Sequence, residues 1–194
     1  MNEPDKQWMQ VYGGKSYDIP GEIPSNFTIE DVAHALSRMC RFNGHSNVPY
    51  SVAQHSVLVL KLVQWNTDDR NSWKQALMHD SHECVTSDLI LPFKKAYPKL
   101  EEAYREAEYD QMKKFAVRFG YSIGSVDCPF HPIVHDADMT ALYIEHMSVM
   151  GPCDREWGIH PRLNYPKSIE QILIRSGQKA RDSFLLCAAE LGIK

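Results

Sequence analysis

Apolar residues recur at helical spacing along most of this chain, and no strand-period alternation is long enough to build a sheet. Ile29, Val32, Leu36 and Met39 share one helical face and predict a first helix, ending before the loop from Asn43-Gly44 to Tyr50. Ser51-x-x-Gln54 reads as a capping box opening a second helix, SVAQHSVLVLKLVQW. Ser72-x-x-Gln75 repeats that signature at the head of a third, SWKQALMHDSHECV, after the polar stretch Asn66 to Arg70. Leu89-Ile90-Leu91-Pro92 ends the third helix and turns the chain. Pro98 begins a long helix that Gly120 closes as a C′ cap, and Pro132 sits at N1 of another reaching about Met150. Ser168-x-x-Gln171 caps the last helix, which Gly177 bends or splits. Residues 1–28, with Gly13-Gly14, Pro20-Gly21 and Pro24, read as an irregular N-terminal arm. The segment GPCDREWGIHPRLNYP is rich in Pro, Gly and aromatics and long for a connector, which favours a functional or contact role. The expected fold is all-α, a helical bundle formed by a single domain over 29–194 with a loop at 151–167.

The helical faces collect unusual side chains. His55 lies three after Val52 and four before Val59, with Leu62 next, so it falls on the apolar stripe of the second helix. Ala76, His79, Asp80 and Glu83 share one face of the third. Asp138 follows Val134 by four and precedes Ala141 and Leu142, again an inward position. A His-Asp dipeptide alone means little, since nine His in 194 residues give it about 0.6 times by chance. It occurs twice, and Asp136, beside Met139 and Thr140, looks less buried, so the pair at 135–136 reads as a decoy. Buried charges are unfavourable unless paired or metal-bound, and no equal set of Lys or Arg shares these stripes. Two imidazoles and two carboxylates without thiolate suit one divalent transition metal, Co, Mn, Zn, Fe or Ni, better than a closed structural zinc site.

Composition narrows the function. At 43% hydrophobic and 24% charged residues, the 194-residue chain fits a soluble globular domain, and no apolar run approaches the roughly 18 residues of a membrane span. The start, MNEPDKQWMQ, resembles neither a signal peptide nor a transit sequence. Five cysteines without a CxxC pair read as reduced cytosolic residues. A net charge of −4 lacks the basic surplus of a protein that wraps nucleic acid. A small phosphorylated metabolite is the better partner, with no polymeric nucleic acid and no membrane.

The order H…HD…D, the string HDxxExxxxD at Asp80, Glu83 and Asp88, and Arg41-Phe42 upstream resemble the HD-domain metal phosphohydrolases. With VAHALSRMCRFNGH, YSVAQHS and the stretch from Asp88 to Lys94, the likeness runs from about Ile29 to Glu145. Within that superfamily the chain is most similar to bacterial 5′-deoxynucleotidases and phage dATP triphosphohydrolases. The resemblance implies an HD-domain bundle around a central metal held by His55, His79, Asp80 and Asp138. Glu83 would be the general acid/base or water-orienting group, and Asp88 a second acid near the phosphate. Arg41 and Lys94 take the positions of phosphate contacts, with Lys95 the competitor. Phe42 stands where the deoxynucleotidases carry a Trp that packs against the sugar. His45, in the Gly-His turn, is expected to touch substrate, while His34 and His82 are expected to be structural.

The implied reaction is attack at the α-phosphorus with the 5′ oxygen leaving. It frees a deoxynucleoside with triphosphate from a dNTP, or with phosphate from a dNMP. A dATP-type triphosphohydrolase, helped by an additional Mg, is the first expectation, and a 5′-deoxynucleotidase the alternative. A non-catalytic HD nucleotide sensor would be expected to lose Glu83 or a ligand, and none is lost. A di-iron oxygenase would need a second inward His-Asp cluster. A homo-oligomer, dimer or hexamer, in the cytoplasm of a bacterial cell or phage-infected host completes the expectation.

Overall fold

Helix α2, Val52–Asn66, is buried from Val52 to Leu60 without a break, and again at Leu62 and Val63. A helix covered on all sides must sit inside a bundle. Around it pack α3 (Arg70–Met78), α7 (Pro132–Val149) and α8 (Gly177–Glu190), while α1 (Ile29–Leu36) lies against α8. The remaining helices are α4 (Glu83–Thr86), α5 (Leu91–Ala96) and α6 (Pro98–Phe119). The computed structural model describes residues 7–172 and 177–194. It is predominantly helical, as the periodicity predicts.

Several helix ends follow the local rules. Ser51 caps α2 with its capping box to Gln54, Pro132 stands in the first turn of α7, and Gly120 closes α6 in the left-handed region at φ 69°. Others depart from the sequence reading. The cap of α3 is Asp69, whose carboxylate accepts from the backbone N–H groups of Asn71 and Ser72, so Ser72 is a helix residue and not its cap. The expected third helix is also not continuous. It ends at Met78, and the chain passes through a tight turn before α4, with Ser81 N–H donating to Met78 O and Glu83 N–H to Asp80 O. Ser168 and Gln171 lie in a 3₁₀ turn, Lys167–Ile172, and Gly177 heads α8. Residues 173–176, through which the expected last helix would run, lie outside the described residues.

The N-terminal arm, expected to be irregular, carries a hairpin within its described residues. Strands β1 (Trp8–Val11) and β2 (Lys15–Asp18) form an antiparallel hairpin with Val11 opposite Lys15, turned by Gly13 and Gly14 at φ 74° and 75°. Four-residue strands are too short for alternation to stand out in sequence. Tyr17 on β2 is fully buried and its hydroxyl donates to Gln111 of α6 at 2.7 Å. Lys15 pairs with Asp31, itself part of a Thr28–Asp31 capping box on α1. Residues 151–166 carry no helix or strand, as expected.

Candidate active site

Three segments converge at the start of α2. Cys40 and Ser51 form an isolated bridge, Arg41 N–H donates to Tyr50 O at 3.0 Å, and Val52 N–H donates to Met39 O at 3.1 Å. This pairing holds Arg41 against the first turn of α2, where His55 lies. The turn after α3 brings in His79 and Asp80, and α7 brings in Asp138.

The imidazoles of His55 and His79 face each other with Nε2 atoms 3.1 Å apart. Asp80 Oδ2 lies 3.4 Å from His55 Nε2 and 3.2 Å from His79 Nε2, and Asp138 Oδ1 lies 3.2 Å from His55 Nε2. The other ring nitrogens are engaged by acceptors. His55 Nδ1 lies 2.6 Å from Glu145 Oε1, and His79 Nδ1 lies 2.8 Å from Ala76 O. Two acceptors at Nδ1 put the protons there, so in the neutral rings both Nε2 atoms carry lone pairs. Two lone pairs at that separation repel unless a proton or a cation lies between them. Donor edges of about 3.0–3.4 Å are what metal–nitrogen bonds of about 2.1 Å give at octahedral or tetrahedral angles. His55, His79 and Asp80 thus form a cluster that fits a divalent metal, and Asp138 lies beside it at His55 Nε2.

The charge distribution agrees with that fit. Burial and Arg41 oppose protonation of His55, yet Glu145 and Asp138 outweigh them and lift its pKa to about 9. A proton is held where a cation would go. Burial also works against ionisation of Asp80, but His79, His55 and Arg41 reverse it and hold the carboxyl well below its usual range. Asp138 is likewise lowered against burial, mainly by His55. Glu83 moves the opposite way. Burial pushes its carboxyl well above the usual range, Asp80 and Asp88 add to this, and its Oε2 is buried without a hydrogen-bond partner. Asp88, beyond the left-handed Ser87 that Tyr104 holds by its carbonyl, is also raised by burial. The carboxyl groups are thus pushed apart, Asp80 and Asp138 toward the ionised form, Glu83 and Asp88 toward the protonated one.

Arg41 spans the rim. Its guanidinium lies 3.6 Å from Asp80 and 3.2 Å from Glu145, while its Nε is buried without a partner. Lys94 donates to Glu108 at 2.8 Å and lies over the Tyr104 ring, whereas Lys95 pairs with Glu101. Phe42 does not end helix one. It sits in a 3₁₀ turn, Arg41–Gly44, at φ 56°, followed by Asn43 at φ 50°, a left-handed pair that ordinary side chains rarely adopt. Its ring lies 5.5 Å from the Arg41 guanidinium and meets Trp157 edge-on at 6.1 Å. His45 follows that turn, exposed, and no hydrogen bond joins its ring to the cluster among the described residues. His34 stacks on Tyr12, and His82 is buried 3.7 Å from Glu108.

The Asp136–Asp138 contrast rests on direction. Their side chains are almost equally exposed, 39% and 36%, but Asp138 turns to His55 and Asp136 to Arg162 at 3.3 Å. The residue missed in sequence is Glu145. It is fully buried, follows Asp138 by two helical turns on α7, lies against His55 Nδ1, accepts from the Tyr50 hydroxyl at 3.0 Å and forms an ion pair with Arg41. That seven-residue spacing was its available signal.

An uncharacterized protein of Rhodobacter capsulatus is 31% identical over 156 residues, covering 78% of this chain and 77% of its own. The uncharacterized protein YfdR of Escherichia coli is 35% identical over 91 residues, 47% of this chain and 48% of its own. Residues 35–156, which contain every proposed ligand together with Glu83, Asp88 and Arg41, match the description "5′-deoxynucleotidase YfbR-like". The chain therefore belongs to the YfbR-like 5′-deoxynucleotidase family, and it is an HD-domain hydrolase.

Proposed function

We propose that this protein is a 5′-deoxynucleotidase, hydrolysing 2′-deoxynucleoside 5′-monophosphates to deoxynucleoside and phosphate. The observation that carries this reading is the paired His55–His79 face, closed by Asp80 and Asp138, within a chain of the deoxynucleotidase family. The family match favours the monophosphate, the alternative in the sequence reading, over the dATP triphosphohydrolase placed first there. Local charge points the same way. Asp80, Asp138 and Glu145 are all held toward the ionised form here, against Arg41 and a Lys94 already engaged by Glu108. The longer anion of a dNTP would need more positive charge than this.

His55, His79, Asp80 and Asp138 would hold the ion. When bound, a divalent metal polarises the phosphoryl group and lowers the pKa of a coordinated water. The chain's own residues do the rest. Arg41 binds phosphate oxygens in the fixed fork geometry of a guanidinium, and Glu145 holds it in place. Glu83, kept protonated by burial beside Asp80 and Asp88, holds the mobile proton of the site. Attack of water at phosphorus breaks the bond to the 5′ oxygen, and one proton passes to that oxygen as it leaves. Phe42 lines the sugar side. The reading is tested with a panel of dNMPs, dNTPs and NMPs, each with Co, Mn, Mg and Zn and with products resolved. Deoxynucleoside plus phosphate from dNMPs is expected, and turnover of dNTPs alone would return the triphosphohydrolase to first place.

A further inference from the structure

The loop from 151 to 166 has no helix or strand, yet it is fastened to the bundle at defined points. The backbone N–H groups of Arg162 and Leu163 both donate to the hydroxyl of the fully buried Thr140, at 2.9 and 3.1 Å, and that hydroxyl donates to Asp136 O at 2.7 Å. Asp136 pairs with the Arg162 side chain, and the Asn66 amide donates to Asn164 O. The second His-Asp dipeptide thus anchors the loop while the first serves the metal centre.

That fastening sets Trp157 over the site. Its indole stacks on the His146 ring at 4.5 Å and 25°, and meets Phe42 edge-on at 6.1 Å. His146 and Phe42 are the chain neighbours of Glu145 and Arg41, which pair with each other at 3.2 Å. Trp157 therefore bridges both sides of that pair. Packed by two rings, it still keeps 37% of its surface open. It lies one residue beyond the end of the family match at 156.

The order of these groups follows the order of a nucleotide. Asp80 contacts Arg41, Arg41 lies against Phe42, and Phe42 touches Trp157. With phosphate at Arg41 and sugar at Phe42, the base reaches Trp157. We propose that Trp157 is a substrate-contacting residue that supplies the aromatic surface on which the nucleobase stacks. This rests on the deoxynucleotidase reading, because that reading puts the phosphate at Arg41. Every base has a π-face, so such a contact favours all four dNMPs and purines most.

The test uses the metal-loaded protein, with Trp157→Ala and Trp157→Phe, on dAMP and on 2-deoxyribose 5-phosphate, which keeps phosphate and sugar but lacks the base. Trp157→Ala should raise KM for dAMP at least about fivefold, the low end for loss of one base-aromatic stack. Its kcat should be nearly unchanged, its kinetics on 2-deoxyribose 5-phosphate equal to wild type, and Trp157→Phe should recover most of the loss. Equal losses on both substrates would make Trp157 a structural strap and overturn the proposal, as would wild-type KM for dAMP. If the wild-type protein neither binds nor hydrolyses dAMP, the parent reading fails and takes this one with it.

Discussion

His55 and Glu145 meet at 2.6 Å with both side chains shut off from solvent. A carboxylate on Nδ1 fixes the tautomer and turns Nε2 toward the centre, the usual means by which a metal-binding imidazole is oriented. Glu145→Ala is therefore expected to weaken metal affinity by roughly 10- to 100-fold, measured by competition against a chelator. Arg41 also loses the nearer of its two carboxylate partners, so affinity for phosphate should fall with it. Wild-type metal affinity in Glu145→Ala would remove this residue from the centre.

The two aspartates of α7 make a sharper comparison because their exposure is nearly the same. Asp138→Ala should lose most bound metal and with it turnover. Asp136→Ala should keep the metal and loosen only the Arg162 end of the loop, seen as faster proteolysis between residues 151 and 166. Metal analysis giving the reverse order would refute the assignment of Asp138.

Much of this was legible in the sequence because caps and face spacing are local signals. Ser51-x-x-Gln54, Pro132 and Gly120 mark their helix ends correctly. The Asp69 cap was obscured by a Ser72-x-x-Gln75 string of the same form, and only the backbone path decides between them. The stripe argument for His55 proved weaker than its conclusion, since α2 is buried on every side from Val52 to Leu60, so a stripe there singles out no inward face. What sets His55 apart is its meeting with His79 and Asp80 in a cluster that fits a metal. The hairpin and the Trp157–His146 stack were not legible at all. Both depend on contacts between segments that share no period, and four-residue strands leave little pattern to find.

In the metal-free protein the His55 proton has a thermodynamic consequence. A folded-state pKa raised to about 9 from 6.5 stabilises the native state fully below about pH 6.5, and this contribution is lost as pH rises through 9. A metal must displace that proton. Apparent metal affinity should therefore climb with pH up to about 9, while the metal-free protein melts at lower temperature over the same interval. Metal titrations and melting curves from pH 6 to 10 check both, and affinity independent of pH would contradict the paired-imidazole geometry.

Glu83 separates chemistry from metal binding. Its carboxyl is buried, raised and unpartnered at Oε2, one turn from the ionised Asp80. Glu83→Gln preserves size and a hydrogen-bond donor but cannot pass a proton. It should keep metal and substrate affinity while lowering kcat by roughly 10²–10⁴, the range for general acid–base work. Turnover close to wild type would leave Glu83 as a buried structural acid.

On the proposed reading, the identity of the sugar depends on Phe42. Its ring is held between the Arg41 guanidinium and Trp157, and its backbone is locked at φ 56°, so it cannot easily swing aside. A 2′-hydroxyl placed against that ring loses its water and gains no partner there. On protein scales this costs about 1–3 kcal/mol, roughly five- to 150-fold, before any steric contribution. Deoxynucleotides should therefore be preferred to ribonucleotides by at least about tenfold in kcat/KM. Phe42→Ala should erode that ratio more than it lowers kcat on dAMP, because the ring excludes the hydroxyl and takes no part in the chemistry. Turnover of AMP equal to that of dAMP by the wild-type protein would show that the wall does not discriminate, and would move the site toward a general nucleotidase.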